Sequence, residues 1–111
     1  MEYDLLIVGG GAAGMSCALV VGSALEKDFA KDKKVGIVMH QKTSDLQTAL
    51  FNNVLGLQPG TKGTDVLKQG PKQLKDLYPK VEQLKGEKLQ HISKNENGVF
   101  ELKTNKDNYL A

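Results

Sequence analysis

The sequence has no tryptophan, no arginine and a single cysteine, Cys17. Each shortage excludes something. Without Arg the chain lacks the planar donor fork that reads guanine edges bidentately. Its 15 basic residues are all lysines, set against 13 acids for a net charge of +2, too small to imply a nucleic-acid partner. The cluster Lys31, Lys33 and Lys34 is interrupted by Asp32, has no aromatic platform and reads as a solvated loop. One cysteine forms no intrachain disulfide and supplies no CxxC redox or zinc motif. His40 and His91 lie far apart without a Cys or acid at metal-ligand spacing, so no metal is expected. Asp4 has no acidic partner at hand for paired-carboxylate chemistry. Long apolar runs are missing too, so no membrane partner is expected. Glu2, Asp4 and an early glycine triplet do not make a signal peptide. These features predict a soluble, cytoplasmic protein.

What is present is concentrated at the amino end. Residues 4–14 read Asp-Leu-Leu-Ile-Val-Gly-Gly-Gly-Ala-Ala-Gly, an apolar run ending in Gly9-x-Gly11-x-x-Gly14. A short strand flowing through three glycines at this spacing into a helix is the dinucleotide-binding fingerprint. Gly9 permits the tight turn, Gly11 lets the backbone approach a pyrophosphate, and Gly14 lets the helix sit close to the strand. Backbone N–H groups at Gly11, Ala12 and Ala13 then face the phosphates at the positive end of the helix. A structural glycine turn without a ligand is the competing reading.

The chain of 111 residues suits one domain, residues 1–111, with one modest core. Leu5–Val8 reads as a central parallel strand covered on both faces. Ala12 to about Phe29 reads as a helix burying Met15, Ala18, Leu19, Gly22, Leu25 and Phe29, with Cys17 packed among small residues. Val35–Met39 is the second strand, reached by a right-handed crossover, and Gly36 in it suggests close packing against the glycine-rich helix. Lys42–Phe51 is a loop with one or two helical turns. Thr64 is placed to cap a helix running to about Tyr78, with Val66, Leu67, Leu74 and Leu77 inward. Gly70-Pro71 should kink or split it. Val81–Leu84 forms a further strand, and Lys88–Ser93 with Val99–Thr104 a hairpin.

A dinucleotide fold ordinarily carries an acid at the tip of the second strand, for the adenosine ribose. Here the tip reads Val38-Met39-His40-Gln41, about 25 residues beyond Gly14. His40 or Gln41 could bond a ribose hydroxyl, or both could be exposed loop residues.

The start Tyr3-Asp-Leu-Leu-Ile-Val-Gly-Gly-Gly-Ala-Ala-Gly-Met-Ser-Cys-Ala resembles the FAD-binding half of thioredoxin reductase-like flavoproteins, within the pyridine nucleotide-disulfide oxidoreductases. Phe51-Asn52-Asn53-Val54-Leu55-Gly56, the turn around Gly60–Gly63 and the helix after it continue the resemblance more loosely. It implies an α/β, Rossmann-like three-layer FAD-binding fold, a parallel sheet with an added β-hairpin, incomplete beside the family's full domain. It implies FAD as cofactor, with Gly9, Gly11 and Gly14 at the pyrophosphate and His40 at the ribose. Asn52 and Asn53 fall in the segment that passes the flavin. The backbone near Glu87 and Lys88 falls at the adenine edge. Electrons would pass between NADPH or NADH, bound by a region outside this chain, and an unknown acceptor. The family's redox cysteine pair is not in this sequence, and Tyr109-Leu110-Ala111 falls about where the family's second half begins. A homo-oligomer or the remainder of a longer chain is the expected partner. The alternative is a degenerate, non-catalytic dinucleotide-binding or assembly domain.

Overall fold

A computed structural model describes all residues, 1–111. Strand β1 (Leu5–Val8) leads through the glycine turn into α1 (Ala12–Ala24) and returns to β2 (Val35–Met39). Two single 3₁₀ turns, Gln41–Thr43 and Asp45–Gln47, precede a short ribbon of β3 (Leu50–Phe51) and β4 (Thr61–Lys62). Helix α2 (Gly63–Leu77) follows, then β5 (Glu82–Lys85), β6 (Leu89–Lys94), β7 (Phe100–Thr104) and β8 (Asn108–Leu110).

The elements stack in three layers. β1, β2 and β5 form a parallel sheet with β2 in the middle. Alternation along β2 divides the core in two. Val35, Ile37 and Met39 join Ile7, Met15, Ala18, Leu25 and Leu74 under the helices. Val38 joins Tyr3, Leu84, Leu102 and Tyr109 against the antiparallel sheet β6-β7-β8. Ile37, Val38 and Leu74 are fully enclosed, and each such side chain contributes about 2 kcal/mol by leaving water.

The Rossmann-like reading therefore holds, with corrections. β1 lies at the sheet edge, not its centre, and β2 is the strand covered on both faces. α1 ends at Ala24, because the charged stretch Glu26-Lys27-Asp28 relaxes into successive i to i+3 turns. That carries Phe29 out to 79% exposure. Cys17 is exposed on the outer side of α1 instead of packed. Gly36 makes room for the Tyr3 ring, 2.8 Å from where a Cβ would stand, and not for α1. In α2, Leu67 and Leu74 are buried, Val66 is half-buried and Leu77 is exposed. The cap position is Lys62, not Thr64. Lys88–Ser93 and Val99–Thr104 do pair antiparallel, but β8 adds a third strand to them.

Pro71 does not split α2. A proline removes the donor for the carbonyl four residues earlier, here that of Leu67. Gln41 supplies a replacement, its Nε2 reaching that carbonyl at 3.4 Å. Gly70, beside the proline, lets α2 approach Met15 of α1, whose Cγ lies 2.9 Å from where a Cβ would be. A helix crossing thus occupies the point where the sequence suggested a break.

Candidate dinucleotide site

The turn between β1 and α1 is built on one contact. A Cβ on Gly14 would fall on the Gly9 carbonyl oxygen, so only glycine lets α1 start this close to the strand. Gly9 itself has a φ of +112°, a region that side chains avoid, and its N–H is held by the Val38 carbonyl at 2.8 Å. Gly10 is buried, with Met39 Cβ 3.1 Å and Gln41 Cγ 3.2 Å from its vacant Cβ position. Gly11 is the N-cap of α1 and its carbonyl accepts the Met15 N–H at 3.0 Å. Ala12 and Ala13, in the first turn, are exposed. The first amides of a helix have no partner within it. At this helix start no acidic side chain competes for them. The arrangement offers N–H donors and the positive helix end to an anion.

His40 stands at the tip of β2, half-buried, with its Nδ1 enclosed and without a hydrogen-bond partner. A ligand hydroxyl reaches that enclosed atom only after the imidazole ring turns outward. Gln41 is differently employed. Its Nε2 donates to the Gly10 carbonyl at 2.9 Å as well as to Leu67, which uses both amide hydrogens to tie the glycine turn to α2. Only its Oε1 remains free. Asn52 is exposed, and its Oδ1 accepts the Gly60 N–H at 2.9 Å, closing the loop between β3 and β4. Lys88 is exposed; Asn105 clamps its backbone, Oδ1 taking the Lys88 N–H at 2.7 Å. The structure thus brings Gly9–Gly14 and Gln41 together, with His40 beside Gln41. It assigns Asn52 and Lys88 to separate loops.

Two side chains to which the sequence reading gave no role shape the surroundings. Ser44 lies over the turn, its Oγ 3.2 Å from the vacant Cβ position of Gly11. Beside the turn, a cavity of about 300 Å³ opens between α1 and α2. It is lined by Gly11, Met15, Leu46, Leu57 and Leu67, and Asp65 is its only ionisable wall residue. Its wall is mainly apolar away from the turn and takes in Gly10, Gly11 and Ala12 of the helix start. Glu87 is the second. It is buried, and its Oε1 accepts Tyr109 OH at 2.6 Å and Thr104 Oγ1 at 2.7 Å. Its partners lie 17 and 22 residues away, a separation without a local sequence signal.

Neither a protein-family model nor a curated protein matches the sequence. Solved structures do. An oxidoreductase from Agrobacterium tumefaciens superposes over 100% of this chain and 34% of its own, with TM-score 0.77 at 21% identity. A thioredoxin reductase from Gloeobacter violaceus matches 99% of this chain and 32% of its own, with TM-score 0.78 at 20% identity. A ferredoxin-flavin thioredoxin reductase from Clostridium acetobutylicum matches 100% and 35%, with TM-score 0.70 at 26% identity. This is a thioredoxin reductase-like fold. The chain spans about a third of the length of these relatives. The thioredoxin reductase-like fold accounts for the parallel order of β1, β2 and β5 with the antiparallel sheet laid across it. No helix of the structure is long and apolar enough to cross a membrane.

Proposed function

We propose that this chain is the FAD-binding portion of a flavoprotein oxidoreductase. The Gly9–Gly14 contact carries the reading, because it spends a position with no room for any side chain on bringing an uncapped helix start to the strand end. The pyrophosphate of FAD would lie on the amides of Ala12 and Ala13, with His40, at the tip of β2, beside the adenosine ribose. When bound, the flavin supplies the electron-transfer chemistry, and the protein's part is binding and orientation. Electrons would arrive from NADPH or NADH held elsewhere and leave to an acceptor. One free cysteine is consistent with a reducing, cytoplasmic setting.

Titration with FAD and, separately, with riboflavin tests this reading. FAD should bind saturably and riboflavin, which lacks the pyrophosphate and adenosine, should not. Equal binding of the two would remove the glycine turn from the account. Absence of FAD binding would favour an assembly domain without a ligand.

A further inference from the structure

The tip of β2 carries no acid, and lysines gather beside it. In a dinucleotide fold an acid near this tip accepts the hydroxyls of a bare ribose, and a basic side chain nearby accommodates a ribose phosphate. The segment Val38-Met39-His40-Gln41 supplies no carboxylate. Next to it a cavity of about 290 Å³ is bounded by Met39 and Gln41, by Lys68 of α2, and by Lys85 and Gly86 at the end of β5. It adjoins the cavity at the glycine turn, with Gln41, Leu67 and Pro71 common to both walls. A nucleotide lying on the turn and passing Gln41 meets the lysines with its adenosine end.

The turn between β7 and β8 brings in a third lysine. Lys106 Nζ donates to the Lys85 carbonyl at 3.1 Å and stands 3.4 Å from where a Gly86 Cβ would be. Asn105 fixes the same turn, its Oδ1 taking the Lys88 N–H at 2.7 Å and its Nδ2 reaching the Gly86 carbonyl at 3.4 Å. An ammonium has three hydrogens, so Lys106 keeps two to offer. The ion pairs of the structure are Lys33–Asp4 and Lys72–Asp76, which leaves Lys68, Lys85 and Lys106 without a carboxylate partner. The acids beside them in sequence are engaged elsewhere. Glu87 is buried with its Oε1 on Tyr109 and Thr104, and Asp107 Oδ1 accepts the Asn108 N–H at 2.8 Å. Like charges gathered around a cavity without a counter-charge attract an anion.

We propose that this lysine cavity seats a phosphate on the adenosine ribose, so that the chain takes a ribose-phosphorylated adenosine nucleotide on the same turn as FAD and in competition with it. A phosphate accepts several charged donors at once, whereas a bare ribose offers only hydroxyls. A phosphate at the 2′ position belongs to the nicotinamide dinucleotide phosphates, and one at the 3′ position to coenzyme A. Either presents the same group to Lys68, Lys85 and Lys106. The seat rests on the cofactor reading, because the glycine turn has to hold the rest of the nucleotide.

The test is calorimetry on the whole chain with two matched pairs of probes, NADP⁺ against NAD⁺ and coenzyme A against dephospho-coenzyme A. Each pair differs only in the ribose phosphate, and FAD is titrated alongside. In one pair the phosphorylated member should bind at least about tenfold tighter and displace FAD. Lys85→Gln combined with Lys106→Gln should abolish that preference and leave the unphosphorylated member's affinity unchanged. Lys68→Gln alone should reduce it, with thermal unfolding showing that each variant is folded. Lys27→Gln with Lys31→Gln, ahead of β2 at the other end of the parallel sheet, should leave the preference intact. Equal binding within both pairs, with FAD still bound, overturns the proposal and leaves the cofactor reading standing. A preference that survives loss of Lys85 and Lys106 overturns it as well, and so does binding that leaves FAD in place. If FAD and all four probes fail to bind, the cofactor reading falls together with the proposal.

Discussion

The Tyr109 phenol donates to the Glu87 carboxylate at 2.6 Å across the seam between the parallel and antiparallel sheets. Thr104 donates to the same oxygen, and the Glu87 N–H is anchored on the Met39 carbonyl at 3.0 Å. Tyr109 in turn meets the Tyr3 ring edge-to-face, with centroids 5.9 Å apart. The carboxylate thereby fixes how the second sheet lies on the first. Glu87→Ala leaves the buried Tyr109 hydroxyl without its acceptor and Thr104 with only the Asp107 carbonyl at 3.2 Å, and should cost about 1–3 kcal/mol in urea denaturation. Glu87→Gln keeps a carbonyl oxygen in place and should cost distinctly less.

The same seam predicts an alkaline limit. Burial, and then the Glu87 hydrogen bond, push the Tyr109 phenol upward, and burial followed by Glu82 does so for Tyr3. A folded-state value above the unfolded one means that the unfolded chain releases its protons first as pH rises. Stability should therefore be level below the ordinary phenol value of 10.0 and fall above it. Tyr109→Phe should make that fall shallower in a series of denaturation curves at increasing pH. An unchanged slope would remove Tyr109 from the explanation.

Gln41 holds two elements with one amide group, bonding the Gly10 and Leu67 carbonyls. Gln41→Ala should lower stability by about 1–2 kcal/mol, with faster hydrogen exchange in α2 around Pro71. Loss of stability without any change in α2 would mean that the Leu67 bond contributes nothing.

The two glycines Gly9 and Gly14 should differ in their tolerance. Gly9 has an unfavourable φ but open space where a Cβ would go, whereas Gly14 has the Gly9 carbonyl there. Gly9→Ala should cost about 1–2 kcal/mol from backbone strain alone. Gly14→Ala should cost about 3 kcal/mol or more, because backbone has to move. Thermal unfolding of the pair gives the order directly.

The strands β1 and β2 and the start of α1 were legible because each rests on local chemistry: apolar runs, glycine spacing and a helix start. The misreadings share a different cause. Phe29 and Cys17 fit the period of a buried helix face or a small-residue run, but whether they are covered depends on neighbours that periodicity does not reveal. β1 was read as central from its composition, and only the pairing order shows it at an edge. Pro71 was read as a break because its substitute donor, Gln41, lies 30 residues earlier in the chain. In the candidate site, the path of the glycine turn from strand to helix was legible, while the roles of Gln41, Ser44 and Glu87 emerge only from long-range contacts.

The most direct measurement of the central claim compares FAD binding by the unaltered chain and by Ala13→Asp. Ala13 is exposed in the first turn of α1, where an acid favours the helix through its dipole and opposes a pyrophosphate. The account predicts saturable FAD binding by the unaltered chain. In Ala13→Asp it predicts undiminished thermal stability and at least about tenfold weaker binding. Equal binding by both proteins, or none by the unaltered chain, would contradict it.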